Sequence, residues 1–384
     1  MKEIIRVERK RILRNKSFLI IIAVISIVSI LSSLASLKKY HVYEQSGNVI
    51  ISSKDNLKES KSYKHNKLLD EKTIKDVVER KDKSKFLYNS NLVTLIASNY
   101  EKKLEELTDE DISDFYNQRR INVEANIGGA AMVDDIKAVV QKAKNNLSTP
   151  IEIGYAEGWK NLNNDMIDFT TIIIFIIPFI IIPIFGEDPK IRMRQLYTAT
   201  KYGKRDLVKA KVITGFVVGT IIYTTAISIF SISKLIIFGF KGANLPIQSS
   251  VKYLFCPYNL TYFQQYLINI FVGFMAMLFL VSLTLLVTSI LEQILSSAVV
   301  VAFILAIMTM LPNNNFYFNY YFKNFLPYSM TNFNSYYIHP QIYNLFGKII
   351  PTYMMVIVVV SVICIILSST TLILSNIKLK CKFK

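Results

Sequence analysis

The apolar residues of this chain are gathered into runs of about 20, separated by charged stretches, and that grouping constrains the fold more than any other feature. Coiled into a helix at about 1.5 Å per residue, such a run crosses a hydrocarbon layer of about 30 Å with its backbone N–H and C=O groups bonded internally. A soluble chain with the same 52% hydrophobic content would intersperse its apolar and polar residues. The runs cover residues 18–37, 169–185, 212–232, 267–291, 294–311 and 349–374. The expected fold is therefore an all-α membrane protein of six transmembrane helices, with a helical extracytoplasmic insert between the first two.

The net charge of +17 in 384 residues invites a nucleic-acid reading, but the location of the charge argues against it. Residues 1–16 carry seven Lys or Arg against two acids, residues 187–211 carry eight against three, and the tail from 377 carries four lysines and no acid. Residues 38–167 balance 21 basic with 21 acidic side chains. Cationic loops on one side and a neutral insert on the other satisfy the positive-inside rule. That pattern predicts a multi-pass protein of the cell membrane with both termini cytoplasmic and no nucleic-acid partner. The expected organisation is a cytoplasmic amphipathic segment (1–16), the first span (17–37), the insert (38–167), spans two to six (168–376) and a basic cytoplasmic tail (377–384). Within 168–376, a cytoplasmic loop covers 186–211 and outer loops cover 241–262 and 312–348.

Within the insert, Ile74, Val77, Val78, Leu92, Leu95 and Ile96 recur at helical spacing, and strand-like alternation is absent. Thr108 followed by Asp109, Glu110 and Asp111 reads as a helix start, and Gly128-Gly129 and Pro150 read as breaks. The three cysteines fall in an outer loop, a span and the tail, which offers no disulfide framework. Only Glu292 and Gln293 separate the fourth and fifth runs, so those helices should form a tight hairpin.

Chemistry is sparse along the chain. There is no Gly-rich phosphate loop ending in Gly-Lys-Ser/Thr, the three histidines stand apart from any ligand cluster, and no nucleophile arrangement occurs. No cofactor or metal is expected on the chain itself, and an embedded enzyme has no candidate constellation. Ion-coupled carriers place ionisable residues inside their spans. Here Asp168, Lys234 and Glu292 fall at predicted span ends, where snorkelling to the interface is the simpler reading. Gly215 and Gly219 form a Gly-x-x-x-Gly pair suited to close helix approach, including approach by a second subunit. The Tyr and Phe residues of 316–346 suit either an interfacial belt or a guard at the outer mouth.

Two stretches resemble the permease subunits of bacterial type-2 ABC exporters that carry a large outer domain between their first two spans. One is Gly154-Tyr155-Ala156-Glu157-Gly158-Trp159-Lys160, just before the second span, in which Tyr155, Gly158 and Trp159 would form an interface. The other opens on Gly186-Glu187-Asp188 and continues through Arg192, Arg194, Leu196, Tyr197, Thr198, Gly203, Lys204 and Arg205 to Lys211. The resemblance implies that this second stretch is the segment that couples to an ATPase, with Glu187 opening it and a small helix seated on the partner; composition alone also suits a loop held at anionic headgroups. It further implies two separate ATPase subunits that bind ATP and Mg, a second permease, identical or related, and a substrate that is a peptide, drug or lipid. The alternative is a non-transporting sensor or scaffold whose helical outer domain binds a ligand or partner.

Overall fold

The computed structural model describes residues 5–6, 9–10, 16–40, 42–43, 49–62, 66–79, 87–100, 102, 106–128, 148–186, 203–311, 322–345 and 348–381. Among them, five helices are long and apolar enough to cross a membrane: Leu19–Lys38, Glu157–Gly186, Asp206–Phe238, Tyr262–Leu291 and Thr352–Ile377. The chain is thus a multi-pass, membrane-embedded helical protein. A further apolar helix, Ile294–Met310, has 17 residues and is shorter than these five.

The bundle is built from α1 (Lys16–Lys38), α7 (Glu157–Ile181), the short α8 (Pro183–Gly186), α9 (Gly203–Phe238), α10 (Tyr262–Leu291), α11 (Ile294–Met310) and α14 (Thr352–Cys381). Helix α10 sits at its centre, packed on α7, α9 and α14, while α1 lies against α9 and α11 folds back along α10. The hairpin expected at Glu292-Gln293 is present. Glu292 ends α10 in the left-handed region (φ 55°), and α11 starts two residues later. At its other end α10 is closed by a capping box, in which the Thr261 hydroxyl accepts from the Gln264 N–H and the Gln264 side chain accepts from the Thr261 N–H.

Several helices outrun their apolar sequence runs. Helix α7 begins at Glu157, twelve residues ahead of the run at 169, because its polar first turns are buried against neighbouring loops instead of lying in solvent. With α8 it reaches about 45 Å at 1.5 Å per residue, longer than a hydrocarbon layer of about 30 Å. Pro178 lies inside α7, and Pro183 restarts the helix after Ile182, so the helix is interrupted near this end.

The insert contains α2 (Ser53–Ser62), α3 (Glu71–Glu79), α4 (Leu87–Ser98), α5 (Asp109–Ser113) and α6 (Phe115–Gly128). Its own core holds Leu69, Ile74, Leu92, Leu95, Ile96, Ile112 and Phe115, closed from the bundle side by Leu254. Thr108 caps α5 through a reciprocal pair with Asp111, as the sequence suggested. Helix α6 ends at Gly128. Three short antiparallel strand pairs were not expected: β1–β2 (Val42–Tyr43 with Val49–Ile51), β3–β4 (Lys67–Leu68 with Glu152–Ile153) and β5–β6 (Ile342–Leu345 with Lys348–Pro351). Segments of two to four residues are too short to print an alternation in the sequence.

Candidate functional site

The end of the bundle that meets the insert is tied together by side chains. Tyr155, Gly158 and Trp159 all address the end of α9. The Tyr155 hydroxyl donates to the Phe238 carbonyl at 2.5 Å, the Trp159 indole N–H donates to the Phe240 carbonyl at 2.9 Å, and Lys61 of the insert donates to the Ile237 carbonyl at 3.1 Å. Together they satisfy carbonyls that a helix end leaves without intrahelical partners. Between them, Gly239 turns the chain at φ 100°. A Cβ on Gly158 would stand 1.9 Å from the Gly239 carbonyl oxygen, so this approach of backbone to backbone requires glycine. The motif before the second span is therefore a seam within one chain. Tyr40, just past α1, extends the seam by donating to Glu157 at 2.7 Å, and burial raises its phenol pKa well above the usual value.

One helical turn deeper lies a buried ion pair. Lys234 is fully enclosed and meets Asp165 at 2.5 Å, while its ammonium also donates to the Ser36 hydroxyl at 2.7 Å and the Ser32 carbonyl at 3.1 Å. The Ser36 hydroxyl in turn donates to Asp165, and Lys39 stands 3.7 Å from the other carboxylate oxygen. Helices α1, α7 and α9 are joined through these four side chains. Lys234 does not snorkel to an interface, as its position in the sequence suggested; it is buried because an acid 69 residues away folds beside it. Asp168 is exposed.

A third group of contacts joins α7 and α10 to the two loops above them. Asn269 on α10 donates to Asn163 at 3.3 Å and accepts from the Tyr337 hydroxyl at 2.9 Å. Tyr253 donates to Asn334 at 2.7 Å, and Lys252 donates to Asn164 at 2.9 Å. The described part of the aromatic loop, with α12 (Pro327–Thr331) and α13 (Ser335–Ile338), turns several of its aromatics into the bundle, while Phe322 and Tyr328 stay exposed. Met330, Phe333, Tyr336 and Tyr337 are buried there, and the Thr331 hydroxyl meets Thr171 of α7 at 2.7 Å. Phe333 reaches the wall of α10 at Gly273, where a Cβ would lie 3.5 Å from its ring. Nothing in the sequence marked Asn163, Asp165 or Asn269 as partners, because their spacings are long range.

The opposite end of the bundle is held differently. Lys211 is buried and donates to the Ile184 carbonyl at 2.8 Å, with its ammonium 5.1 Å from the centre of the Phe185 ring. Gly186 packs on Ile294, the first residue of α11. Of the residues assigned to ATPase coupling, Glu187, Arg192, Arg194, Leu196 and Tyr197 lie outside the described residues. Gly203, Lys204 and Arg205 form the first turn of α9, and their side chains are likewise outside. Gly215 and Gly219 face α10 of the same chain: a Cβ at Gly215 would meet Leu285 at 2.9 Å, and one at Gly219 would meet Met277 and Val281 at 3.0 Å. That face is filled within the subunit and leaves no room for a second copy.

No nucleophile is poised in these clusters. Cys256 is buried, and burial pushes its thiol up to about 12, far from a reactive thiolate. What the geometry offers is a bundle tied by side-chain hydrogen bonds at one end and, at the other, two helices joined through Lys211 and Ile184. Comparisons with family models, curated proteins and solved structures find no match.

Proposed function

We propose that the chain is the permease subunit of an ATP-driven exporter of the ABC type, working with two separate ATPase subunits that bind ATP and Mg and with a second permease, identical or related. In this reading α11 is a sixth span, both termini are cytoplasmic, the insert lies outside the cell membrane, and the substrate is a peptide, drug or lipid. The observation that carries the reading is the bracing of the two helices on either side of residues 187–202. The first is fixed by Gly186 against Ile294, and the second by Lys211, which reaches back to the Ile184 carbonyl. A push delivered to either flanking helix passes through these contacts into α7, α9 and the α10–α11 hairpin.

The test is purification of the intact complex from native membranes followed by mass spectrometry. A co-purifying ATPase with a phosphate-binding loop is the expected result. Recovery without any ATPase, together with a stable signalling partner, would instead favour the sensor or scaffold reading. In the assembled complex, charge reversal at Arg192, Arg194 and Lys204 should uncouple ATP hydrolysis from transport; unchanged coupling would remove the role given to this segment.

A further inference from the structure

Where the insert meets the bundle there is a cavity of about 270 Å³ that neither the coupling segment nor the helix seams use. It has room for several waters or a group of amino-acid size. Three separately folded parts build it: Ser98, Asn122, Ala125 and Asn126 from α4 and α6 of the insert; Lys252 and Phe255 from the loop between α9 and α10; and Ile338 and His339 from the loop before α14. The wall is fixed in place, since Asn126 donates to the Ile338 carbonyl at 2.5 Å and bonds the His339 ring at 3.0 Å.

The lining has one polar side and one apolar side. Ala125, Phe255 and Ile338 offer carbon surface, and no acidic side chain takes part. Lys252 brings an ammonium whose hydrogen bond to Asn164 uses one of its three donors. A second cation lies behind the wall. Arg119, one turn before Asn122 on α6, is 1% exposed and donates through Nε to the Leu254 carbonyl at 3.0 Å, directly before Phe255. Its Nη1 and Nη2 have no hydrogen-bond partner among the described residues. Burial brings its pKa down to about 10, which leaves it charged at neutral pH. Arg119 does not itself line the cavity, but its buried positive charge adds to that of Lys252 and favours an anion there.

We infer that this cavity binds a small organic carboxylate with a short apolar body, either as a free molecule or as the end of a peptide chain. The carboxylate meets Lys252 in the field of Arg119, and the apolar body lies on Phe255 and Ile338. Occupancy joins the insert to both bundle loops at once. The inference stands apart from the coupling to an ATPase and holds or fails without it.

Isothermal titration of the full-length protein in lipid nanodiscs tests it with three probes: N-acetyl-leucine, the peptide Ala-Ala-Ala-Leu with a free carboxylate, and the same peptide amidated. Saturable binding of at least one acid is expected, with the amide at least tenfold weaker. N-acetyl-leucine alone would identify a free carboxylate as the natural form, and binding of the peptide acid would identify a chain end. Lys252→Met should weaken binding about tenfold, and Lys252→Arg should retain most of it. Ala125 is exposed, so Ala125→Phe fills the cavity without removing a hydrogen bond and should abolish binding at an unchanged thermal midpoint. No saturable heat with any probe, equal binding of acid and amide, or full binding by Ala125→Phe would each overturn the assignment.

Discussion

The two ends of the bundle are fastened by different physics. At the insert end, hydrogen bonds and an ion pair run between helices and loops: Tyr155 and Trp159 to the end of α9, Asp165 to Lys234, and Asn269 to Tyr337. Towards the other end, the described hydroxyls mostly turn back on their own helices, as Ser282 does to Leu278, Thr284 to Leu280, Thr288 to Thr284 and Thr371 to Leu367. Helices there meet through apolar side chains such as Leu285 and Val281, with Lys211 supplying a cross-helix bond. Directional bonds hold one geometry, whereas leucine and methionine contacts tolerate small shifts. A bundle made this way holds its geometry more firmly at the end that carries the insert than at the end that carries the 187–202 segment.

The largest break in that asymmetry comes from Gly158, set against Gly215. Gly158→Ala drives a Cβ into a backbone oxygen that cannot turn aside, and should cost about 3 kcal/mol, the upper range of overpacking. Gly215→Ala meets only the methyl ends of Leu285, which can change rotamer, and should cost about 1 kcal/mol. Equal losses in a chemical-unfolding series would mean that the two ends are equally stiff.

The ion pair comes next. Lys234→Met removes the closest cation from Asp165 and leaves it with Ser36 and the more exposed Lys39, so the loss should fall below the ~3–5 kcal/mol of a fully orphaned buried charge, at about 2 kcal/mol. The double variant Asp165→Leu with Lys234→Met should recover most of that loss, because packed apolar side chains replace a buried pair well. Thermal unfolding of the detergent-solubilised protein measures both. If the double variant is as unstable as the single, the pair acts through something other than mutual neutralisation.

How far the sequence announced this arrangement depends on the range of the interaction. The runs at 267–291 and 294–311 and the two residues between them predict the α10–α11 hairpin, because hydrophobic burial and a short turn are local properties. Thr108 and its acids predict α5 for the same reason. Lys234 reads as interfacial since its acid partner lies 69 residues away in a stretch that looks like soluble insert. Asn163 and Asn269 are common surface residues until the fold brings them together, 106 positions apart. The inward turn of Phe333 is likewise invisible, as an aromatic loop has the same composition whether it faces lipid or the bundle.

The smallest expected effect belongs to the start of α5 in the insert, which is held by a local capping box. Asp111 accepts from the Thr108 N–H at 2.9 Å, and that bond, with Lys102 alongside, lowers the carboxyl pKa below its ordinary value. A depressed carboxylate pKa means that the unfolded insert binds the proton more tightly than the folded one. The stabilisation is therefore complete above the ordinary carboxylate range and is lost as pH falls through the lowered value. Thr108→Ala should cost about 1 kcal/mol, read as faster amide exchange in α5 and the neighbouring turn of α6. Acidification should lower the protection of the same amides, taken relative to the intrinsic exchange rate at each pH, in the wild type and the variant alike, because Thr108→Ala keeps the backbone N–H from which Asp111 accepts. The Asp165–Lys234 region should show no change in exchange on Thr108→Ala. If it does change, the insert and the bundle unfold as one unit, and the contrast between a separately held insert and a rigid rim fails.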